Sequence, residues 1–124
     1  MHWTFPAEAA SCSAARRVVC DVARAHGADD EGVNRIALGV TEAVTNAVLH
    51  AYLDHRPAPD DIAVDLECDE DLAHLVVEDH GLGVKPDAPG LGLGLRLMAH
   101  AAETFEVTPR EGGGTRVEMT IRLR

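Results

Sequence analysis

Apolar side chains recur along this chain with two different periods. Between about residues 8 and 26, Val18, Val19, Val22 and Ala23 repeat at helical spacing, and Gly27 follows as a natural stop. A second helical set, Ile36, Val40, Ala43, Val44 and Ala47, predicts a helix over roughly 31–53, with Asp29 and Asp30 as its capping residues. Arg56-Pro57-Ala58-Pro59 then breaks the chain, and the period changes. Ile62, Val64, Leu66 and Cys68 alternate with Asp65 and Glu67, as in a strand buried on one face. After a turn at Asp69-Glu70-Asp71, Leu72 to Glu78 reads as a second strand, so the two form a hairpin.

Asp79 to Gly90 is a loop rich in Gly and Pro, and Leu91 to Ala102 reads as a third helix. Glu103–Pro109 and Thr115–Leu123 read as two strands joined by Glu111-Gly112-Gly113-Gly114. Trp3-Thr4-Phe5 adds a short strand at the start, ended by Pro6. The order βααββαββ predicts an α+β fold: an α/β sandwich whose mixed, mostly antiparallel sheet is covered on one face by helices. No repeat or linker interrupts it, and 124 residues suit one domain, taken as 3–124.

Composition narrows the classes. A formal net charge of −10 argues against nucleic acid as a partner, because phosphate backbones need clustered Lys and Arg. It leaves a single nucleotide open, since backbone amides, a helix N-terminus and a cation can hold one. The three cysteines, Cys12, Cys20 and Cys68, lack metal-ligand spacing. Cys12 and Cys20 would lie about 12 Å apart along a helix, too far for a disulfide. All three are expected as reduced thiols in a reducing compartment. No apolar run is long enough to span a bilayer and no signal peptide is evident, so the expected location is the cytoplasm, without a membrane partner.

Four segments carry chemistry. Glu42 and Asn46 are four residues apart, which places them on one helix face. An amide oxygen suits Mg²⁺, and a carboxylate one turn earlier could take a proton from an attacking hydroxyl or water. The plain alternative is an exposed polar stripe. Asp79-His80-Gly81-Leu82-Gly83 follows an apolar strand: the aspartate could accept a hydrogen bond from an adenine amino group, and the glycines would let the backbone approach a flat base. The alternative is an ordinary loop. Pro89-Gly90-Leu91-Gly92-Leu93-Gly94-Leu95 runs into a helix and could present amides to phosphates. It lacks the Gly-Lys-Ser/Thr ending of a P-loop and opens no βαβ unit. Glycine at a helix start costs about 1 kcal/mol relative to Ala, so three of them there need a reason beyond packing. Gly112-Gly113-Gly114-Thr115 alone is a plain hairpin turn.

Together, in this order and spacing, the four segments resemble the GHKL (Bergerat-fold, histidine-kinase-like) ATPase superfamily. That superfamily carries a helical N-box, Asp-x-Gly-x-Gly, a Gly-x-Gly turn and a Gly-x-x-Thr-like turn before a strand. Glu42-x-x-x-Asn46 running into Asn46–Tyr52 is most similar to the stand-alone anti-sigma-factor serine kinases, and the likeness covers about residues 3–123. It implies ATP and Mg²⁺ as ligands, Glu42 as general base, and Asn46 as the residue binding Mg²⁺ with the phosphates. Asp79 would read adenine, helped by Thr115 through water. Gly81 and Gly83 would shape the base pocket, and Gly90, Gly92 and Gly94 would belong to the phosphate turn. His50, one turn after Asn46, would line the pocket or be a solvated or core histidine.

The resemblance also implies a sigma factor and a STAS-type antagonist as protein partners, the antagonist being phosphorylated on serine or threonine, and it leaves a homodimer open. The segment from Gly83 to Gly90 departs from the pattern. It is shorter than many lids, with Lys85 its single cation, and a short lid shields phosphates less from water. That favours, as the alternative, a nucleotide-dependent binding module with little or no phosphotransfer. A histidine-kinase catalytic domain is a third reading, set back by the Glu that begins the N-box.

Overall fold

The computed structural model describes residues 1–53, 61–80, 93–111 and 113–124. The chain runs through β1 (His2–Pro6), α1 (Ala10–Ala25), α2 (Asp30–Leu53), β2 (Asp61–Asp69), β3 (Leu72–Glu78), α3 (Leu93–Ala101), β4 (Thr104–Pro109) and β5 (Thr115–Arg122). This is the βααββαββ order that the periodicity predicts, with boundaries within one or two residues; the expected start of the third helix at Leu91 lies outside the described residues.

Local chemistry explains the helix ends. The Gly27 N–H donates to the Arg24 carbonyl and the Ala28 N–H to the Ala23 carbonyl, both at 3.0 Å, closing α1 in a Schellman motif. Gly27 takes the left-handed conformation the motif needs, at φ +88°. Two residues later Asp29 caps α2: its Oδ1 accepts the Gly32 N–H at 2.8 Å. Gly32 is required for packing too, because a Cβ there would overlap the main-chain carbonyl of Leu123.

The five strands form one sheet in the order β1-β2-β3-β5-β4. Every neighbouring pair among the described residues is antiparallel, so the mixed alternative is not realised. The reason is topological. The crossover through α3 makes β3 and β4 parallel, but the β4–β5 hairpin returns β5 between them, leaving no parallel pair in contact. One sheet face carries Ile62, Val64, Leu66, Leu75, Val77, Val117, Met119 and Ile121, all buried against Val19, Ile36, Val40, Val44 and Met98 of the helices. The three cysteines are unbridged, and burial pushes the thiols of Cys20 and Cys68 up, as expected of packing groups. Among the described residues, no helix is long and apolar enough to cross a membrane.

The Thr41 hydroxyl of α2 is buried without a hydrogen-bond partner. An unpaired buried hydroxyl costs about 1–3 kcal/mol. Thr41→Val keeps the shape and removes the polar atom, so urea unfolding should report a protein at least as stable as the parent, with a gain of about 1 kcal/mol.

The other sheet face is polar and cross-linked. His2 Nδ1 lies 2.7 Å from Asp65 Oδ1, and His74 Nε2 lies 2.6 Å from Glu118 Oε1. The hydrogen bond from His74 holds the Glu118 carboxyl below its ordinary range, with Arg116 adding to the effect against desolvation. A carboxylate depressed in the folded state stabilises it fully above its unfolded-state pKa, and that contribution is lost as pH falls through the lower folded-state value. Glu118→Gln should therefore flatten the acid limb of stability below the usual carboxylate range, as read by thermal melts across acid pH.

Candidate functional site

The direction of α2 relative to the sheet decides which polar residues can meet. Gly32, at the start of α2, abuts Leu123 just past the end of β5; Gly39, two turns on, abuts Met119 Sδ and Ile121 Cδ1. The helix thus runs antiparallel to β5. From Gly39 to Asn46 it rises about 10 Å, close to the roughly 13 Å that β5 needs to return from Met119 to Thr115. Asn46 therefore reaches the sheet end where β5 starts and β3 finishes, the end that carries Asp79 and Thr115.

Asn46 and Asp79 are buried there, at 6% and 7% exposure, although both are polar; Thr115 is buried with them. Buried polar groups need partners. The Asn46 side-chain nitrogen donates to the Glu42 carbonyl one turn earlier at 2.8 Å, which leaves its oxygen Oδ1 directed away from the helix backbone. Glu42 is half-buried, on the same face. A buried amide and a half-buried carboxylate do not match the exposed polar stripe that was their plain alternative.

Asp79 and Thr115 are joined directly. The Asp79 N–H donates to the Thr115 carbonyl at 3.0 Å, and the Thr115 N–H donates to Asp79 Oδ1 at 3.3 Å. The β4–β5 turn is built around this pair. Gly113 and Gly114 have φ values of +108° and +103°, and a Cβ on Gly114 would overlap the Asp79 carbonyl oxygen. The turn that looks plain in sequence is thus also a close approach to Asp79. Arg110 closes the other side: its Nε lies 2.7 Å from Glu78 Oε2, and its Nη1 donates to the Asp79 carbonyl at 3.0 Å and to His80 Nδ1 at 2.6 Å. Nothing in the sequence singles out Arg110; a basic residue in a Pro-Arg-Glu-Gly turn reads as solvated.

The structure thus brings Asp79 and Thr115 together, with Glu42 and Asn46 at the same end of the sheet. Gly94 lies in the first turn of α3. Gly81, Gly83, Lys85, Gly90 and Gly92 lie outside the described residues, as does the His50 side chain. Among the described residues, no group of three or more His, Cys, Asp or Glu could hold a metal ion by itself.

A family model for the histidine kinase-like ATPase domain matches residues 5–121. The chain belongs to this family. The histidine kinase-like ATPase domain implies ATP binding, and relatives among the anti-sigma F factors put the chain on the anti-sigma-factor kinase-like side. It is 30% identical over 106 residues to an anti-sigma F factor of Bacillus thuringiensis, covering 75% of this chain and 71% of the relative. It is 28% identical over 109 residues to an anti-sigma F factor of Clostridium novyi, covering 76% and 73%. A crystal structure of the RsbU and RsbW domains of a Mycobacterium tuberculosis protein superposes with a TM-score of 0.73 over 99% of this chain at 22% identity, which shows a shared fold. The chain spans about a third, 32%, of that longer protein.

Proposed function

We propose that this histidine kinase-like ATPase domain is an ATP- and Mg²⁺-dependent anti-sigma factor that phosphorylates a serine or threonine of a STAS-type antagonist protein. The observation that carries the reading is the pair of buried polar side chains, Asn46 and Asp79, kept at one end of the sheet of a chain akin to anti-sigma F factors. In it, Asp79 accepts a hydrogen bond from the adenine amino group while Thr115 holds the carboxylate in place. Asn46 Oδ1 would hold Mg²⁺, a cation that takes one or two protein oxygens together with substrate phosphates. When bound, Mg²⁺ offsets phosphate charge.

Glu42, one turn before Asn46, acts as general base. The acceptor hydroxyl oxygen bonds to the γ-phosphorus, its proton passes to the Glu42 carboxylate, and the bond to the bridging oxygen breaks to release ADP. The sigma factor would be sequestered by the same protein.

The experiment that tests this incubates the full chain with labelled ATP, Mg²⁺ and STAS-type proteins of the same genome. Label on serine or threonine supports the kinase; stable binding without label leaves a nucleotide-dependent binding module. In parallel, Asn46→Ala should abolish the Mg²⁺ dependence of ATP affinity, because one hard oxygen ligand is lost. Titrations with and without Mg²⁺ that respond alike in parent and variant would remove Asn46 from the role.

A further inference from the structure

We propose that Arg110 is a positioning residue for nucleotide recognition, one that locks the end of β3 so that the Asp79 carboxylate is aimed before a base arrives. The proposal rests on Asp79 as the adenine reader. Its ground is that one guanidinium holds three consecutive residues through two nitrogens: Nε lies 2.7 Å from the Glu78 carboxylate, and Nη1 lies 3.0 Å from the Asp79 carbonyl oxygen and 2.6 Å from the His80 ring nitrogen Nδ1.

Each contact removes a different freedom. The ion pair fixes where β3 ends, and Glu78 is held from its other oxygen by Arg116 Nη1 at 3.0 Å. The bond to the Asp79 carbonyl sets the orientation of the peptide that follows Asp79. Because arginine only donates, His80 Nδ1 is the acceptor in this contact. That bond ties down His80, two residues past the end of β3.

The same arginine belongs to the turn that reaches Asp79 from the other side. The Arg110 N–H donates to the Gly114 carbonyl at 2.9 Å, the Gly113 N–H donates to the Arg110 carbonyl at 3.1 Å, and Gly114 abuts the Asp79 carbonyl. The backbone of Asp79 is therefore clamped between Gly114 and a guanidinium, and its side chain is clamped by the Thr115 N–H. A carboxylate so held keeps its direction in the empty protein, and less freedom is lost when a base binds. A lysine cannot replace this fork, since its ammonium is a point charge on a flexible stem.

The test measures ADP and inorganic pyrophosphate affinities by calorimetry, with excess Mg²⁺, for the parent, Arg110→Ala, Asp79→Asn and the double variant. ADP carries the base and pyrophosphate does not. Arg110→Ala is expected to weaken ADP about tenfold, the loss of one charge-assisted hydrogen bond's worth of aim, and to leave pyrophosphate within about twofold. In the Asp79→Asn background Arg110→Ala should weaken ADP no further, because a residue acting through Asp79 is not additive with it. A purely structural role would weaken both ligands and multiply in the double variant, and that result overturns the proposal. So does an Arg110→Ala protein that folds and binds ADP like the parent while Asp79→Asn does not. If Asp79→Asn itself leaves ADP affinity unchanged, the adenine reading fails first and takes the proposal with it. Should Arg110→Ala fail to fold, Arg110→Lys keeps a charge against Glu78 without the fork and is judged on the same ligands.

Discussion

Glu42→Gln is expected to bind MgATP almost as well as the parent and to transfer phosphate to the antagonist on the order of 10²-fold or more slowly. The two side chains have the same shape, so packing on the half-buried face of α2 is kept. The substitution also leaves the main-chain carbonyl of residue 42, to which Asn46 donates at 2.8 Å, in place. The position that would hold Mg²⁺ is therefore undisturbed. What is lost is basicity, which matters only as the acceptor hydroxyl gives up its proton, so the loss falls on the transition state and not on ground-state binding. Single-turnover transfer of labelled phosphate, beside calorimetric ATP affinity, separates the two. Transfer at the parent rate would mean a kinase with a different base, His50 being the next candidate in the sequence. A parent protein that transfers nothing to any antagonist it binds would leave the binding module.

Asp79→Asn should weaken ATP by about tenfold to a hundredfold, the worth of a recognition hydrogen bond to a charged group at roughly 1.5–3 kcal/mol. The geometry says why the fold should tolerate the change. Asp79 Oδ1 accepts the Thr115 N–H at 3.3 Å, and an asparagine oxygen can keep that bond. Its amide nitrogen then stands where the second carboxylate oxygen was, so a donor faces the adenine amino donor. The same exchange suits the six-position carbonyl of guanine, an acceptor. The parent should bind GTP poorly, and the variant should narrow the gap between ATP and GTP. Competition titrations with the two nucleotides read the ratio directly, and equal ATP affinity in parent and variant would sink the assignment of Asp79.

Much of the fold was legible in the sequence because its signals are local. Two helical periods, two alternating strands and the punctuation at Pro6, Gly27, Asp29 and Asp69-Glu70-Asp71 lie within a few residues of the elements they delimit. The cap that Asp29 supplies and the Schellman closure at Gly27 are short-range hydrogen bonds, so neighbouring residues suffice to predict them. The ordered motifs around Glu42, Asn46, Asp79 and Thr115 were also readable, as a pattern.

Strand order was not. Whether the sheet is mixed or antiparallel depends on β5 inserting between β3 and β4, and no residue of β5 carries that information by itself. The polarity of α2 against β5 was equally out of reach, yet it is what carries Asn46 to the end of the sheet that holds Asp79. The Gly112–Thr115 turn shows the division most plainly. Its glycines announce a hairpin in the sequence, but only the register of β5 on β3, with Glu78 opposite Arg116, sets Gly114 against the Asp79 carbonyl and Arg110 against Glu78, Asp79 and His80. Periodicity determined the elements and the chemistry each could offer. Contacts between residues some thirty positions apart decided which of those groups meet, because burial and hydrogen bonding across the sheet are satisfied only in the assembled core.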